Sequence, residues 1–163
     1  MKAVTFFDGT ILYLEEITLV KMYRYVQSKK SQNESGGILL GRQIENREEY
    51  ILSDISEPTK KDKKGRFSFT RDKQSAQFVI DQKWKETNGV ENYLGEWHTH
   101  PECNPTPSQI DRNLVRQVIN DNSNVFTKVF LIIVGVDQSL YIGLANSNVS
   151  NDIIFSTQLR GIR

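Results

Sequence analysis

The residues best suited to chemistry in this chain are its two histidines, which stand one residue apart in the segment His98-Thr99-His100. Side chains two residues apart on a β-strand point to the same face, so both imidazoles can be directed at one point. A third ligand from a following helix would complete a tripod and leave a fourth position open. An open position distinguishes a catalytic zinc site from a closed structural one.

Asp111 is the candidate for the third ligand, and Ser108 lies three residues before it. Ser-x-x-Asp at a helix start also matches a capping box, which requires no metal, and taken alone the pattern favours the cap. The two interpretations are compatible, because a cap would fix the direction of the Asp111 side chain. Between the histidines and Ser108, the segment Pro101–Pro107 holds three of the four prolines and is expected to be a stiff loop.

A hydrolytic metal site also needs a carboxylate that takes a proton from water and passes it to the leaving amine. Glu96 is the choice on spacing, because it shares a strand face with both histidines. Glu34 is distant in sequence, just before a glycine-rich apolar run, and on spacing alone it would be an ordinary loop carboxylate.

The overall composition predicts one globular domain over residues 1–163. Hydrophobic residues make up 37% and aromatic residues 10% of the chain, which excludes a disordered class. The 21 basic and 20 acidic residues nearly cancel, so no general attraction to nucleic acid or to an anionic membrane is expected. The single cysteine, Cys103, excludes an internal disulfide and favours a reducing compartment. No stretch approaches the roughly 20 apolar residues of a membrane span, so we expect a cytoplasmic protein.

The elements that must position these residues form an α/β (α+β) pattern. Strands are predicted at Ala3–Phe7, Thr10–Leu14, Gly36–Arg42, Tyr50–Ser56, Phe67–Thr70, Tyr93–His100, Val129–Val136, Leu140–Ala145 and Ile153–Ser156. Helices are predicted from Glu15-Glu16 to Lys29-Lys30, from a Thr70 cap to about Thr87, and from Ser108 to about Asn120. Asp8-Gly9 predicts a hairpin turn with both residues at positive φ. The order predicts one mixed, mostly antiparallel sheet flanked by helices.

Three segments together resemble the JAMM motif of the JAB/MPN metalloproteases. They are Glu34-Ser-Gly-Gly-Ile-Leu-Leu-Gly, His98-Thr-His100-Pro and Ser108-Gln-Ile-Asp111. The family pattern is a distant Glu ahead of a glycine-rich apolar strand, then His-x-His-Pro, and then Ser-x-x-Asp with seven residues between the second His and the Ser. The specific motifs occupy Glu34–Gly41 and Gly95–Asp111, and the element order suits an MPN/JAB-like fold over the whole chain.

This resemblance implies one zinc ion per chain, bound by His98, His100 and Asp111 with water in the fourth position. It implies Glu34 as the general acid/base in place of Glu96, and it gives Ser108 a hydrogen bond to the tetrahedral oxyanion. Family members hydrolyse amide or isopeptide bonds after a flexible C-terminal tail, often that of a ubiquitin-like protein. Such a tail could add as a strand to a sheet edge near the zinc.

The short chain looks more like the stand-alone bacterial branch of the family. Those proteins resemble deconjugating isopeptidases of anti-phage (CBASS-type) operons, where the bond joins the C-terminus of a cyclic-nucleotide synthase to another protein. Expected partners are therefore protein conjugates, with neither nucleic acid nor membrane. Two alternatives stay open: a non-catalytic MPN-like scaffold, and a metallohydrolase of small amides.

Two further features have a simple structural interpretation beside a functional one, and a third has only a structural interpretation. Cys103 could be an extra ligand or a redox brake, but a small loop residue is favoured. The lysines of Lys60–Lys64, in the charged loop Glu57–Gly65, could face an acidic partner, but a solvated loop tip is favoured. Trp97 lies on the opposite strand face from the histidines and is expected in the core.

Overall fold

A computed structural model describes residues 1–160, and an eight-stranded mixed sheet runs through it. The strands of the chain are β1 (Lys2–Thr5), β2 (Ile11–Leu14), β3 (Gly36–Gln43), β4 (Glu49–Ile55), β5 (Lys63–Gly65), β6 (Ser68–Thr70), β7 (Asn92–Thr99), β8 (Lys128–Val134), β9 (Leu140–Asn146) and β10 (Ser150–Leu159). The helices are α1 (Glu16–Tyr23), α2 (Lys73–Glu86) and α3 (Gln109–Asp121). None of the helices in the described residues is both long and apolar enough to cross a membrane.

The sheet is mostly antiparallel, as predicted. Its strand order is β1-β2-β4-β3-β7-β8-β9-β10, while β5 and β6 form a separate ribbon. Only two neighbouring pairs of the large sheet, β2 with β4 and β7 with β8, are parallel. The histidine strand β7 therefore lies near the middle of the sheet, between β3 and β8, where its backbone is paired on both sides.

The apolar strand β8 anchors two cores at once, because successive side chains of a strand point to opposite faces. Phe130 and Ile132 enter one core, while Leu131 and Ile133 enter the other. The second core includes Val115 and Ile119 of α3, so α3 is fixed to the sheet face beside β7. This packing explains how a helix residue such as Asp111 can reach the histidines.

Two glycines permit close strand packing beside the histidines. A Cβ atom at Gly95 would lie 1.9 Å from the carbonyl oxygen of Phe130, and one at Gly36 would lie 2.4 Å from that of Trp97. Both distances are far inside van der Waals contact, so only glycine fits. Gly36 pairs directly with His98 in the register of β3 and β7.

The first helix is shorter than predicted: α1 ends at Tyr23 rather than at Lys29-Lys30. The reason is a tertiary contact, since Gln27 is buried and its side-chain amide donates to the carbonyls of Gln32 and Arg66. Those bonds hold residues that follow α1 in a non-helical path and outweigh the apolar periodicity.

Two turn or terminus predictions were also wrong, and one strand was confirmed but is longer than predicted. Asp8 is not at positive φ; only Gly9 of that turn is, at φ 86°. The cap of α2 is Asp72 rather than Thr70, because the Asp72 carboxylate accepts from the backbone N–H of Ser75 at 2.9 Å. The strand predicted at Ile153–Ser156 is the central part of a longer β10.

The segment predicted as the loop Glu57–Gly65 ends in a strand. Its last three residues, Lys63–Gly65, are β5 and pair antiparallel with β6. The lysines of this ribbon are exposed on its surface, so no alternation of buried and exposed residues marks it in the sequence. The backbone N–H of Glu34 donates to the carbonyl of Gly65 at 2.8 Å, and the ribbon therefore lies beside a predicted site residue.

Candidate metal centre

His98, His100 and Asp111 converge on one point at the end of β7. The Nε2 atoms of the two histidines are 3.2 Å apart. His98 Nε2 lies 3.0 Å from Asp111 Oδ1, and His100 Nε2 lies 3.4 Å from Asp111 Oδ2. All three side chains are buried. Among residues 1–160 they form the single group of three potential ligands whose atoms lie within 4.8 Å of one another.

This spacing fits a tetrahedral metal ion. Nitrogen and oxygen ligands lie about 2.0–2.2 Å from zinc, which places tetrahedral ligands about 3.3–3.6 Å from one another. The two histidine nitrogens lie 3.0–3.4 Å from each other and from the nearer of the two Asp111 oxygens, close to that value. The donor set is also suitable, since imidazole and carboxylate are ordinary zinc ligands.

The capping box at the start of α3 is present as well. Ser108 Oγ accepts from the backbone N–H of Asp111 at 3.2 Å, while Asp111 Oδ2 accepts from the backbone N–H of Ser108 at 2.6 Å. The two sequence interpretations of Ser-x-x-Asp are therefore compatible in the structure. The cap holds the Asp111 carboxylate so that its other oxygen, Oδ1, faces His98.

Charge is retained on Asp111 despite its burial. Burial acts to raise the pKa of Asp111, but hydrogen bonds from His100 and His98 outweigh it and hold the pKa well below its usual range. A carboxylate that stays ionised is the form that can bind a cation. His100 is oriented in addition by Glu102, whose Oε1 lies 3.1 Å from His100 Nδ1. Such a bond fixes the ring and leaves Nε2 directed at the centre.

Glu34 is also brought to this centre, although it is 64 residues before His98 in sequence. It is only 4% exposed, and its Oε1 lies 3.9 Å from His100 Nε2. Burial raises the pKa of Glu34 to about 7, against the opposing pull of His100. A carboxyl with a pKa near neutrality can both accept and release a proton.

The backbone around Glu34 is tied to the histidine strand. Thr99, between the histidines, donates its N–H to the carbonyl of Ser35 at 2.8 Å, and its Oγ1 accepts from the N–H of Ser35 at 3.0 Å. The same Oγ1 donates to Gln27 Oε1 at 3.2 Å. Gln27 therefore joins the histidine strand to the loop before Glu34 and to the β5–β6 ribbon.

Sequence reasoning missed Gln27. Its only local feature is a position at the end of an apolar periodicity that predicted helix, and no sequence pattern indicates three partners from distant segments. Burial of a glutamine at 3% exposure is the structural feature that identifies it, since a buried amide must be hydrogen-bonded.

Glu96, the alternative base suggested by spacing, lies on the expected strand face, but both of its carboxylate oxygens accept hydrogen bonds. Arg71 Nε donates to both its oxygens, at 3.0 and 2.8 Å, and Arg71 Nη2 donates at 2.8 Å. The hydroxyl of Tyr93 donates to it at 2.8 Å. A carboxylate saturated by a guanidinium is poorly suited to proton transfer, so the structure does not favour Glu96 as the base.

The remaining sequence candidates lie as follows. Ser108 is exposed at the rim of the centre, and Cys103 is exposed in the loop after the histidines. Trp97 is 1% exposed and packs in the core on the opposite face of β7, as predicted. The lysines of Lys60–Lys64 are all exposed.

A groove of about 730 Å³ runs between α2 and α3 and reaches the centre. Arg71 and Glu96 line it together with His98 and Asp111, and its apolar walls include Ile80 and Trp84 of α2 and Leu114 and Val118 of α3. The groove is therefore an approach to the metal centre with a mixed apolar and polar lining.

Comparison with known proteins adds a family and several relatives. A family model described as prokaryotic homologs of the JAB domain matches residues 18–145. A CD-NTase/cGAS isopeptidase from Pseudomonas aeruginosa is 36% identical over 106 residues, which cover 65% of this chain and 66% of the relative. One from Escherichia coli is 34% identical over 64% of this chain and 65% of the relative. One from Vibrio cholerae is 33% identical over 72% of this chain and 71% of the relative.

The matched segment spans just under two thirds of the first two relatives. Among solved structures, protein DSY2949 from Desulfitobacterium hafniense has a similar fold, with a TM-score of 0.61 over 93% of this chain and 91% of that one. At 16% sequence identity this likeness concerns the fold alone.

Proposed function

The chain belongs to the family of prokaryotic homologs of the JAB domain, and we propose that it is a zinc-dependent isopeptidase that hydrolyses the amide bond after a flexible C-terminal tail. The observation that carries the proposal is the convergence of His98 Nε2, His100 Nε2 and the Asp111 carboxylate at separations of 3.0–3.4 Å, with buried Glu34 beside them. Three ligands and an adjacent carboxylate are the composition of a hydrolytic metal site rather than a structural one.

The proposed substrate is a protein conjugate of a CD-NTase, a cyclic-nucleotide synthase. Support comes from relatives that carry the name CD-NTase/cGAS isopeptidase. Release of such a synthase from its target, or of a ubiquitin-like modifier, would place the reaction in bacterial anti-phage defence. We place it in the cytoplasm, consistent with a chain whose single cysteine permits no internal disulfide.

The roles of the residues follow from their geometry. His98, His100 and Asp111 would hold one zinc ion, which when bound supplies Lewis-acid polarisation and lowers the pKa of water to about 7. Glu34 accepts a proton from the attacking water at its carboxylate and delivers that proton to the nitrogen of the leaving amine. A pKa of about 7 suits both steps. Glu102 holds the ring of His100.

Ser108 is assigned to the oxygen of the scissile carbonyl. Its Oγ accepts from the N–H of Asp111, which fixes the oxygen in space. Its O–H donates to no other residue in the described range 1–160 and can therefore be offered to the substrate. A donor that is preset where negative charge develops contributes more than one that must reorient.

The first test is metal content by elemental analysis of the wild type, His100→Ala and the matched control Glu45→Ala. Glu45 is an exposed carboxylate away from the centre. We expect about one zinc per chain in the wild type and the control and almost none in His100→Ala, since loss of one of three ligands weakens binding strongly. Absence of zinc from all three proteins after incubation with the metal would overturn the proposal.

The second test uses a CD-NTase whose C-terminal carboxyl is joined by an amide bond to a second protein. We expect cleavage at that bond by the zinc-loaded wild type and none by Glu34→Gln. Preferential cleavage of small amides would favour the alternative of a small-amide metallohydrolase. A zinc-loaded protein that binds conjugates without cleaving either substrate would indicate a scaffold.

A further inference from the structure

A buried ion pair lies in the floor of the groove beside the metal centre. Arg71 makes a fork with Glu96 through Nε and Nη2. The Glu96 side chain is 3% exposed and that of Arg71 is 20% exposed. Both residues line the groove that reaches His98. Taking two charges out of water is costly unless the geometry is very good, so this pair needs a reason beyond stability.

The fork is held from several sides. The Tyr93 hydroxyl donates to Glu96 Oε1. Residues three apart on a regular strand point to opposite faces, but the β3–β7 register is irregular between Leu39 and Leu40. This irregularity places Tyr93 and Glu96 on one face. On the other side, the N–H of Asp72, next to Arg71, donates to Asp62 at 2.8 Å. The guanidinium of Arg71 is therefore held by Glu96, and the backbone next to Arg71 is held by Asp62.

The guanidinium has unused donors. Arginine carries five N–H groups, and the fork occupies those on one edge. The Nη1 group on the opposite edge donates to no residue within the described range. Since the carboxylate of Glu96 neutralises the positive charge of Arg71, these free donors suit a neutral oxygen such as a main-chain carbonyl better than a carboxylate.

The position of the fork matches a peptide that leads to the scissile bond. Glu96 and His98 are on the same strand face, about 7 Å apart along the strand. An extended peptide advances about 3.3 Å per residue. A peptide that lies in the groove with its scissile bond at the centre would thus pass the fork about two residues away.

We propose that Arg71 is a substrate-binding residue that donates from Nη1 to a main-chain carbonyl of the extended tail, about two residues from the scissile bond. Glu96 and Tyr93 are positioning residues that hold the guanidinium in place. This inference rests on the proposed function, because it names the part of the substrate that the same site recognises.

The test removes both charges together, since Arg71→Ala alone would leave Glu96 buried without a partner. In Arg71→Met/Glu96→Gln the glutamine keeps an acceptor for Tyr93 and no lone charge remains. The matched control is Lys85→Met, which removes an exposed positive charge of α2 outside the lining of the groove. Melting temperature and zinc content are measured first, and we expect both to stay near those of the wild type.

The readout is the affinity of each protein for a synthetic peptide of the CD-NTase C-terminal tail, followed by KM and kcat on the conjugate. We expect the double variant to bind the peptide about 10- to 100-fold more weakly, the loss typical of a hydrogen bond from a charged donor. KM should rise by a similar factor while kcat changes little. The control should stay within about twofold, as for an exposed charge.

Unchanged peptide affinity in a folded, zinc-loaded double variant would overturn the inference. Loss of zinc or a fall in kcat alone would also overturn it, because Arg71 would then act on the centre and not on the tail. Replacing acidic residues of the tail peptide with alanine should leave the ratio of wild-type to double-variant peptide affinity unchanged. If the two proteins then bind the peptide equally, the acceptor is a side-chain carboxylate and not a main-chain carbonyl. Failure of the proposed function looks different: the wild type would then lack zinc or cleave no conjugate.

Discussion

Two buried glutamates near the same groove have opposite surroundings. Glu34 is 4% exposed and Glu96 is 2% exposed. Within residues 1–160, the Glu34 carboxylate has one polar side-chain neighbour, a histidine nitrogen at 3.9 Å, whereas Glu96 accepts from a guanidinium fork and a tyrosine hydroxyl at 2.8–3.0 Å. Burial therefore raises the pKa of Glu34 to about 7. Both oxygens of Glu96 are instead occupied by hydrogen bonds from Arg71, and one of them also accepts from Tyr93.

This difference shows that hydrogen-bond partners, more than position along a strand, decide whether a carboxylate is suited to proton transfer. Glu96 is on the correct face and within two residues of a histidine, yet it serves to hold an arginine. Glu34 comes from a remote loop and has an oxygen free for a proton. Substitutions at Glu34 and at Glu96 test that contrast on both sides.

The largest expected effect is on catalysis by Glu34→Gln. The amide cannot accept a proton, so we expect kcat on the conjugate to fall by about 10²–10⁴-fold, the usual contribution of a general base. Zinc content should be unchanged, and Glu45→Gln serves as the control. The contrast would fail if Glu96→Gln abolished kcat in a folded, zinc-loaded protein while Glu34→Gln remained active.

Glu96→Gln should instead act on stability. Removing one partner of a buried pair leaves the other charge uncompensated, which typically costs 3–5 kcal/mol. Since Arg71 is partly exposed, we expect the free energy of unfolding to fall by about 3 kcal/mol. Chemical denaturation of the metal-free proteins measures it, with Glu34→Gln as the comparison. Equal stability of Glu96→Gln and wild type would show that the fork contributes nothing to the fold.

The pH dependence of stability sharpens the same contrast for the metal-free protein. The pKa of Glu34 rises from 4.5 to about 7 on folding, so the folded state holds the proton more tightly than the unfolded state. Stability from this group is therefore fully present below pH 4.5 and is lost as the pH rises to 7, by about 3 kcal/mol. Denaturation curves from pH 4.5 to 7.5 should show this loss in the wild type relative to Glu34→Gln; parallel curves would contradict it.

The smallest effect concerns the residue that positions the loop before Glu34. Gln27→Ala removes three hydrogen bonds, to Thr99, Gln32 and Arg66, and leaves buried partners unpaired. We expect a loss of about 1–3 kcal/mol in unfolding free energy. We also expect a lower kcat with zinc retained, since the Glu34 loop is less well held. Ser31→Ala, at an exposed position nearby, is the control. An unchanged kcat would mean that other contacts position Glu34.

Much of the fold is predictable from local patterns. The apolar run of β8 and the cap of α3 each reflect forces that act within a few residues. What fails is the part set by distant contacts: the end of α1 is fixed by Gln27, and the strand β5 exists because it pairs with β6. Exposed three-residue strands have no buried face to leave a pattern in the sequence.

The candidate site divides in the same way. Spacing alone places His98 and His100 together and allows Asp111 to join them. It does not select Glu34 over Glu96, and only the family resemblance pointed to Glu34. The physical reason is Arg71, whose position at the junction of β6 and α2 is a product of the fold and cannot be read from the neighbourhood of Glu96.

The capping box of α3 has a thermodynamic consequence. Asp111 offers one oxygen to the N–H of Ser108 and turns the other to His98, so helix initiation and ion capture share a single carboxylate. By linkage, whatever ion occupies the centre must stabilise the first turn of α3 by as much as that turn favours the ion. Hydrogen exchange of the amide protons in that turn therefore reports whether an ion occupies the centre, and the measurement needs no substrate.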